Sequence, residues 1–165
     1  MSLLDKEAVK RSQKALKDFD EAMNILVLDK SARTASEAAS SLKCEVGAII
    51  KSLLFKADDI FILSLVSGDR RCSLNKMKKI TNKKDLSMAS PEEVKSKTGY
   101  TIGGVSPIGH TSSIKILIDH SLDRFNNLYA AAGHPNCVFK INFENLKKIT
   151  KVKVEEITEW DNQNL

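Results

Sequence analysis

Leu53-Leu54-Phe55 and Ile60-Phe61-Ile62-Leu63-Ser64-Leu65-Val66, separated by Ala57-Asp58-Asp59, are the stretch on which the fold turns. Two apolar runs enriched in β-branched and aromatic residues read as strands, and the acidic break between them reads as a hairpin turn. Because the runs are apolar at nearly every position rather than at alternate ones, these strands are expected to be covered on both faces. Upstream, Ala8, Ser12, Ala15, Phe19 and Met23 recur at steps of four and three with charges between them. That spacing predicts an amphipathic helix over 5–23. Thr34-Ala35-Ser36-Glu37 is a capping-box pattern, and the helix it opens presents the small face Ala35, Ala38, Ala39 and Leu42.

Downstream, Ser67-Gly68-Asp69 ends the second strand, and a short basic helix is predicted over 74–80. Ser90-Pro91-Glu92-Glu93 places a serine cap, a proline at the first helical position and a glutamate at the third, and Gly99 closes that helix. Strands are expected at 114–119, 128–131 and 137–141, the last two joined by a Gly133-His134-Pro135-Asn136 turn. Asn142 can cap a final helix over 143–149, ahead of a polar tail. Hairpins side by side, in place of regular βαβ units, argue for an α+β fold. No linker, repeat or low-complexity segment interrupts the chain, so one domain over 1–165 is expected.

The composition narrows the function classes. A chain 42% hydrophobic and 28% charged fits an ordinary globular domain, and no apolar stretch reaches the ~20 residues that span a bilayer. The start, Met1-Ser2-Leu3-Leu4-Asp5-Lys6, has no signal-peptide core, which predicts a cytoplasmic protein with no membrane partner. Cys44, Cys72 and Cys137 are odd in number and form no CxxC pair, and His110, His120 and His134 have no metal-ligand spacing. Neither a disulfide framework, nor a metal site, nor a cofactor is expected. The net charge of +5 falls short of the dense stripe of a DNA-binding module, so DNA is not an expected partner. Within it, Arg70, Arg71, Lys76, Lys78, Lys79, Lys83 and Lys84 cluster in one segment. This is either a solvated helix face or a surface for a phosphate backbone.

Two features carry chemistry. Gly103-Gly104-Val105-Ser106-Pro107-Ile108-Gly109-His110 packs three glycines and a proline into eight residues, a rigid loop whose bare amides can approach a ligand. Lys51 stands in the apolar run Ala48-Ile49-Ile50-Lys51-Ser52-Leu53-Leu54-Phe55, where a lone cation is costly to bury. Together they predict a pocket that polarises an anionic or ester-like group. The alternative for Lys51 is a side chain that lays its stem on the core and its head in water. His110 and Asp119 are expected to be structural, Asp119 as the cap of a short helix around 122–125.

Thr34-Ala35-Ser36-Glu37-Ala38-Ala39, Ile50-Lys51-Ser52-Leu53-Leu54-Phe55, Thr98-Gly99-Tyr100, Gly103-Gly104-Val105-Ser106-Pro107-Ile108-Gly109 and Tyr129-Ala130-Ala131-Ala132-Gly133 occur in this order at compatible spacings. In these five segments the chain resembles the YbaK-type aminoacyl-tRNA deacylases, related to the editing domain inserted into bacterial prolyl-tRNA synthetases. The resemblance implies a mixed, mostly antiparallel, barrel-like sheet surrounded by helices. It also implies metal-independent hydrolysis of the ester that joins an amino acid to the terminal adenosine of a mischarged tRNA. An aminoacyl-tRNA synthetase is implied as a further partner. Lys51 matches the lysine tied to activity, Ser52 stands where a threonine is common, and Gly103 to Pro107 match the loop that lines the aminoacyl pocket.

Gly103, Gly104, Val105, Ser106 and Pro107 are therefore expected to bind substrate with Ser52, Gly133 and His134. Arg70, Arg71, Lys76, Lys78 and Lys79 are expected to contact tRNA. Relatives specialised for cysteinyl-tRNA carry a serine and an aspartate in the segment matching Ala131 and Val138. That departure, with His134 nearby, turns the expected substrate toward a small amino acid such as alanine, with cysteine as the other choice, on tRNA for proline or a similar one.

An aminoacyl ester is already activated, so a positioned water and a stabilised oxyanion could suffice. Amides of Gly103, Gly104 or their neighbours would take the oxyanion. Lys51 would act either as a fixed cation or, if burial lowers its pKa enough, as a general base. Aromatic residues make up 5% of the chain, too few for a stacking platform, so charge and shape would hold the tRNA body. A non-catalytic tRNA- or RNA-binding accessory protein and a hydrolase of another small ester are the competing functions.

Overall fold

A computed structural model describes residues 2–30 and 32–161. The hairpin over the two apolar runs forms, longer than predicted: β2 (Ile50–Ala57) pairs antiparallel with β3 (Ile60–Ser67) in full register from Ile50↔Ser67 to Ala57↔Ile60. The turn is the two residues Asp58-Asp59, and Asp58 takes a positive φ of 51° that short polar side chains tolerate. The carboxylate of Asp58 accepts from the amide of Asp85 at 2.8 Å, which brings β5 (Leu86–Met88) onto the free edge of β2.

On the other side β6 (Lys115–Asp119) runs parallel to β3, and the two-residue β9 (Val154–Glu155) runs parallel to β6. The order of the five-stranded sheet is thus β5-β2-β3-β6-β9. Both faces of β3 are covered. Leu63 and Leu65 enter the main core, while Ile62 and Val66 enter a second cluster with Phe55, Met77, Leu117 and Ile157.

β7 (Leu128–His134) and β8 (Cys137–Ile141) form the second predicted hairpin, and β1 (Ile25–Val27) completes that sheet in the order β1-β8-β7. β7 extends through Gly133 and His134, so the turn shrinks to Pro135-Asn136. The last sheet is a pair, β4 (Arg70–Cys72) with β10 (Thr158–Trp160). The barrel-like arrangement expected of the sheet is present without closure: the sheets do not join into a complete barrel. Between β2 and β7 no ladder forms, only an isolated parallel bridge from Ile49 to Tyr129. Closure requires hydrogen bonds along every strand edge, and here that gap stays open. What remains is a mixed, mostly antiparallel α+β domain wrapped by helices.

The helices follow their caps. α2 (Ala35–Leu42) starts at Thr34, whose hydroxyl accepts from Glu37 N at 3.1 Å, and it buries Ala38 and Ala39. α4 (Pro91–Thr98) has the complete capping box and ends on Gly99 at φ 81°. α3 (Leu74–Thr81) buries Met77, and α5 (Phe143–Thr150) is capped by Asn142.

α1 (Glu7–Phe19) differs from its prediction in length and face. It buries Val9, Ser12 and Leu16, leaves Phe19 exposed, and ends in an Asp20–Met23 turn. Val9 and Leu16 bring more apolar area to β7 than Ala8 and Ala15, so the helix rolls toward them. The expected polar tail is also corrected. Ile157 and Thr158 are fully buried, because β9 and β10 cover sheet edges that a solvated tail would leave unpaired.

Candidate active site

The gap between β2 and β7 is a cavity of about 330 Å³. The middle of β2, from Ile50 to Leu54, forms one wall, and Tyr129, Ala130 and Ala131 of β7 form the facing one. Ala35 and Ala38 of α2 close one end, and Ile102, Gly103 and Val105 of the glycine loop close the other. The lining is mostly apolar and small, with Lys51 and Arg33 as its charged members.

The structure therefore brings together Lys51, Ser52, Gly103 and Val105, drawn from segments fifty residues apart. Gly104, Ser106, Pro107, Gly133 and His134 sit behind this surface rather than on it. The Ser106 hydroxyl lies 2.8 Å from that of Ser12, pinning the loop to α1, and the Ser106 carbonyl meets His110 Nε2 at 2.7 Å. Gly104 donates its N–H to the Thr101 carbonyl at 2.9 Å, so that amide is committed within the loop.

Its carbonyl accepts from Gly133 N at 2.9 Å, and a Cβ on Gly104 would stand 2.9 Å from His134 N. The glycine is thus what lets the loop close onto β7. Gly133, at φ 94°, plays the same part toward α1, where a Cβ would come within 2.7 Å of the Ala8 backbone. The Nδ1 of His134 accepts from Asn136 N at 3.0 Å and fixes the hairpin turn. Burial, with Lys6 and Arg33 nearby, keeps this ring below the usual histidine pKa.

Lys51 is half-buried, and its ammonium donates to the carbonyl of Arg70. Burial lowers its pKa from the usual lysine value, and Asp161 foremost, then Cys72 and Asp69, act against that shift. One N–H is spent on Arg70, which leaves two on the same nitrogen for other acceptors. Ser52 follows on the strand. Its Oγ is the buried side-chain oxygen or nitrogen among the described residues that lacks a hydrogen-bond partner. An orphaned hydroxyl in a cavity wall costs free energy unless a ligand satisfies it.

The basic segment is largely committed internally. Arg70 lies over the Trp160 ring at 4.5 Å and donates to Thr158, Arg71 pairs with Glu159 at 2.8 Å, and Lys76 donates to the Thr158 carbonyl at 2.8 Å. Lys78 and Lys79 on α3 have no such partners among the described residues.

Residues that the sequence did not flag complete the site: Ala38, Ala130 and Arg33. The alanines fell within the recognised segments but carry no chemical signal of their own, and Arg33 was hidden beside the capping box of α2. Ala131 and Val138, which face each other across the β7–β8 ladder, both line the cavity. No group of three or more His, Cys, Asp or Glu side chains among the described residues could hold a metal. Nor is any helix among them long and apolar enough to cross a membrane.

An α+β domain with an apolar cavity, a lysine on the cavity's strand and a glycine loop at its rim defines a class of small-ligand pocket on an open mixed sheet. Residues 29–149 match the aminoacyl-tRNA editing domain, and the chain belongs to that family. It is 37% identical over 113 residues to a proline–tRNA ligase of Bacillus velezensis, covering 68% of this chain and 20% of the ligase. Thus it spans about a fifth of such ligases. It is 30% identical to YwhH, an uncharacterized protein of Bacillus subtilis, over 84% of this chain and 89% of that one. A solved structure described as a proposed trans-editing enzyme for prolyl tRNA synthetase superposes with a TM-score of 0.88 at 35% identity, covering 93% of this chain and 98% of the other.

Proposed function

We propose that this chain hydrolyses the aminoacyl ester of a mischarged tRNA, acting in trans on a small amino acid other than cysteine. The observation that carries the proposal is that Lys51, Ser52, Gly103 and Val105 line one apolar cavity, with the buried Ser52 hydroxyl left without a partner. Family membership and the likeness to a proposed trans-editing enzyme support the same reaction.

The amino acid side chain sits against Ala38, Ala130 and Val138. These walls offer bulk and no polar hold, and Ala131 and Val138 replace the serine and aspartate that the resemblance associates with cysteine. Ser52 Oγ serves the polar end of the aminoacyl group. The Lys51 ammonium, as a fixed cation, draws charge onto the acyl oxygen while a water attacks, with an amide of Gly103 or Val105 as second donor. The Gly104 amide takes no part, since Thr101 holds it. Attack forms the carbon–oxygen bond to water and breaks the ester bond. The terminal ribose oxygen leaves with a proton, giving free amino acid and tRNA.

No metal and no cofactor enters the reaction. Lys78 and Lys79 contact the phosphate backbone, Arg33 meets the tRNA end at the cavity mouth, and the activity belongs in the cytoplasm beside a synthetase. The test is release of amino acid from a panel of mischarged tRNAs. Lys51→Ala should lose about 10²–10³ in rate, the usual effect of removing one preorganised donor. Near-normal turnover by a folded Lys51→Ala protein would remove the proposal.

A further inference from the structure

β10 lies outside residues 29–149, yet its contacts converge on Lys51. Trp160 pairs with Arg70 across the β4–β10 ladder, and its ring carries the Arg70 guanidinium at 4.5 Å and that of Arg124 at 5.1 Å. Arg70 donates from Nε to Thr158 Oγ1 at 2.9 Å and from Nη2 to the Thr158 carbonyl at 3.2 Å. Thr158 Oγ1 in turn donates to the buried carboxylate of Asp119 at 2.8 Å.

Arg124 grips Asp69 through two hydrogen bonds of 2.7 and 3.0 Å, and the Asp161 amide donates to the Asp69 carbonyl at 3.1 Å. The peptide caught in the middle is that of Arg70, whose carbonyl accepts from the Lys51 ammonium. We propose that β10 together with Asp161 is a positioning element for Lys51, holding its ammonium through the fixed Arg70 carbonyl and presenting a carboxylate to it. This rests on Lys51 acting in the reaction proposed above.

The groups whose charge acts on the ammonium come from three places: Asp161 after β10, Cys72 on β4, and Asp69 in the β3–β4 turn. Burial pushes the Cys72 thiol up to about 12, so it is neutral near pH 7 and the two carboxylates supply the negative charge. The guanidinium groups of Arg70 and Arg124 are turned onto Trp160. Asp161 is first among the groups that raise the lysine's pKa against its burial. Removing that carboxylate moves the titration of Lys51 to lower pH, whether the lysine works as cation or as base.

The experiment compares full-length wild type, Asp161→Asn, Trp160→Ala and Lys51→Ala. NMR follows the Lys51 Cε signal against pH, and deacylation of mischarged tRNA is measured over the same range. Asp161→Asn keeps the backbone bond to Asp69. It should move both the Lys51 titration and the lysine-dependent limb of the rate profile to lower pH. Trp160→Ala, checked for a folded state by its unfolding midpoint, should lower kcat about ten- to hundredfold by misplacing the ammonium.

An unmoved Lys51 titration in Asp161→Asn overturns the proposal, as does equal or higher activity in folded Trp160→Ala. Those results leave the deacylase reading intact provided that Lys51→Ala is inactive. Full activity in Lys51→Ala instead removes that reading and the positioning role with it.

Discussion

Replacing Asp119 with alanine should destabilise the protein by about 3 kcal/mol, near the low end of the cost of breaking a buried charged network. Asp119 is fully buried and its carboxylate accepts four hydrogen bonds. Oδ1 takes Ile157 N at 2.9 Å, while Oδ2 takes the amide and hydroxyl of Ser121 and the hydroxyl of Thr158. Truncation leaves the buried Ile157 amide without an acceptor, a loss of about 1–3 kcal/mol, and strips Ser121 and Thr158 as well. The sum is less than additive, because removing the charge also removes its desolvation cost.

Asparagine is no remedy. Its NH₂ group must face donors on one side or the other, so Asp119→Asn should still lose about 1–3 kcal/mol. Urea unfolding followed by the single tryptophan measures this directly, since Trp160 rides on β10 and is half exposed. Acid adds a second reading. Burial works against the Asp119 carboxylate, but the hydrogen bonds from Ser121, Ile157 and Thr158 outweigh it and hold its pKa below the usual carboxylate value. Its contribution is therefore complete above the unfolded-state pKa and is lost as pH falls through the folded one. Wild type should lose stability at low pH more steeply than Asp119→Ala. A difference below about 1 kcal/mol at neutral pH, within the effect of an ordinary substitution, would refute the reasoning.

Gly104→Ala should lower the melting temperature at a cost of about 1–3 kcal/mol, because the new Cβ meets the His134 backbone at 2.9 Å and β7 must yield. Ala38→Leu fills part of the 330 Å³ cavity, so kcat/KM should fall most for the bulkier aminoacyl groups while the fold, checked by circular dichroism, persists. Changing Lys78 and Lys79 to alanine should flatten the salt dependence of tRNA affinity by about one log unit of slope for each phosphate no longer neutralised. The same change at Arg71 should do less, since Glu159 already pairs with it at 2.8 Å.

Local signals in the chain made much of this molecule legible. Caps at Thr34, Ser90 and Asn142 fixed three helices where the structure has them. The apolar runs named β2 and β3 and their double-sided burial, because such runs cannot face water. Short edge strands were invisible. β4, β5, β9 and β10 are two or three residues long and polar in part, and they exist only because a neighbouring strand offers unpaired amides.

The site divided in the same way. Lys51 and the glycine loop stood out by their residue types, and Ser52 by the family resemblance. The cavity wall of alanines and valines has no signature apart from its shape. Periodicity also could not tell which side of α1 would turn inward, since Ser12 belongs to both candidate stripes and Val9 and Leu16 compete with Ala8 and Ala15.

By itself the sequence determined the α+β class, the helix starts, the central hairpin and the family, because each depends on residues close together in the chain. Only the tertiary structure decided that the Gly104 amide is spent on the Thr101 carbonyl and that this glycine lets the loop close onto β7. It also decided that the Arg70 side chain is held by Thr158 and Trp160 of β10, and that Lys51 donates to the Arg70 peptide carbonyl. Those outcomes depend on which groups meet across gaps of tens of residues, where desolvation and hydrogen-bond satisfaction are settled jointly and no local pattern records the result.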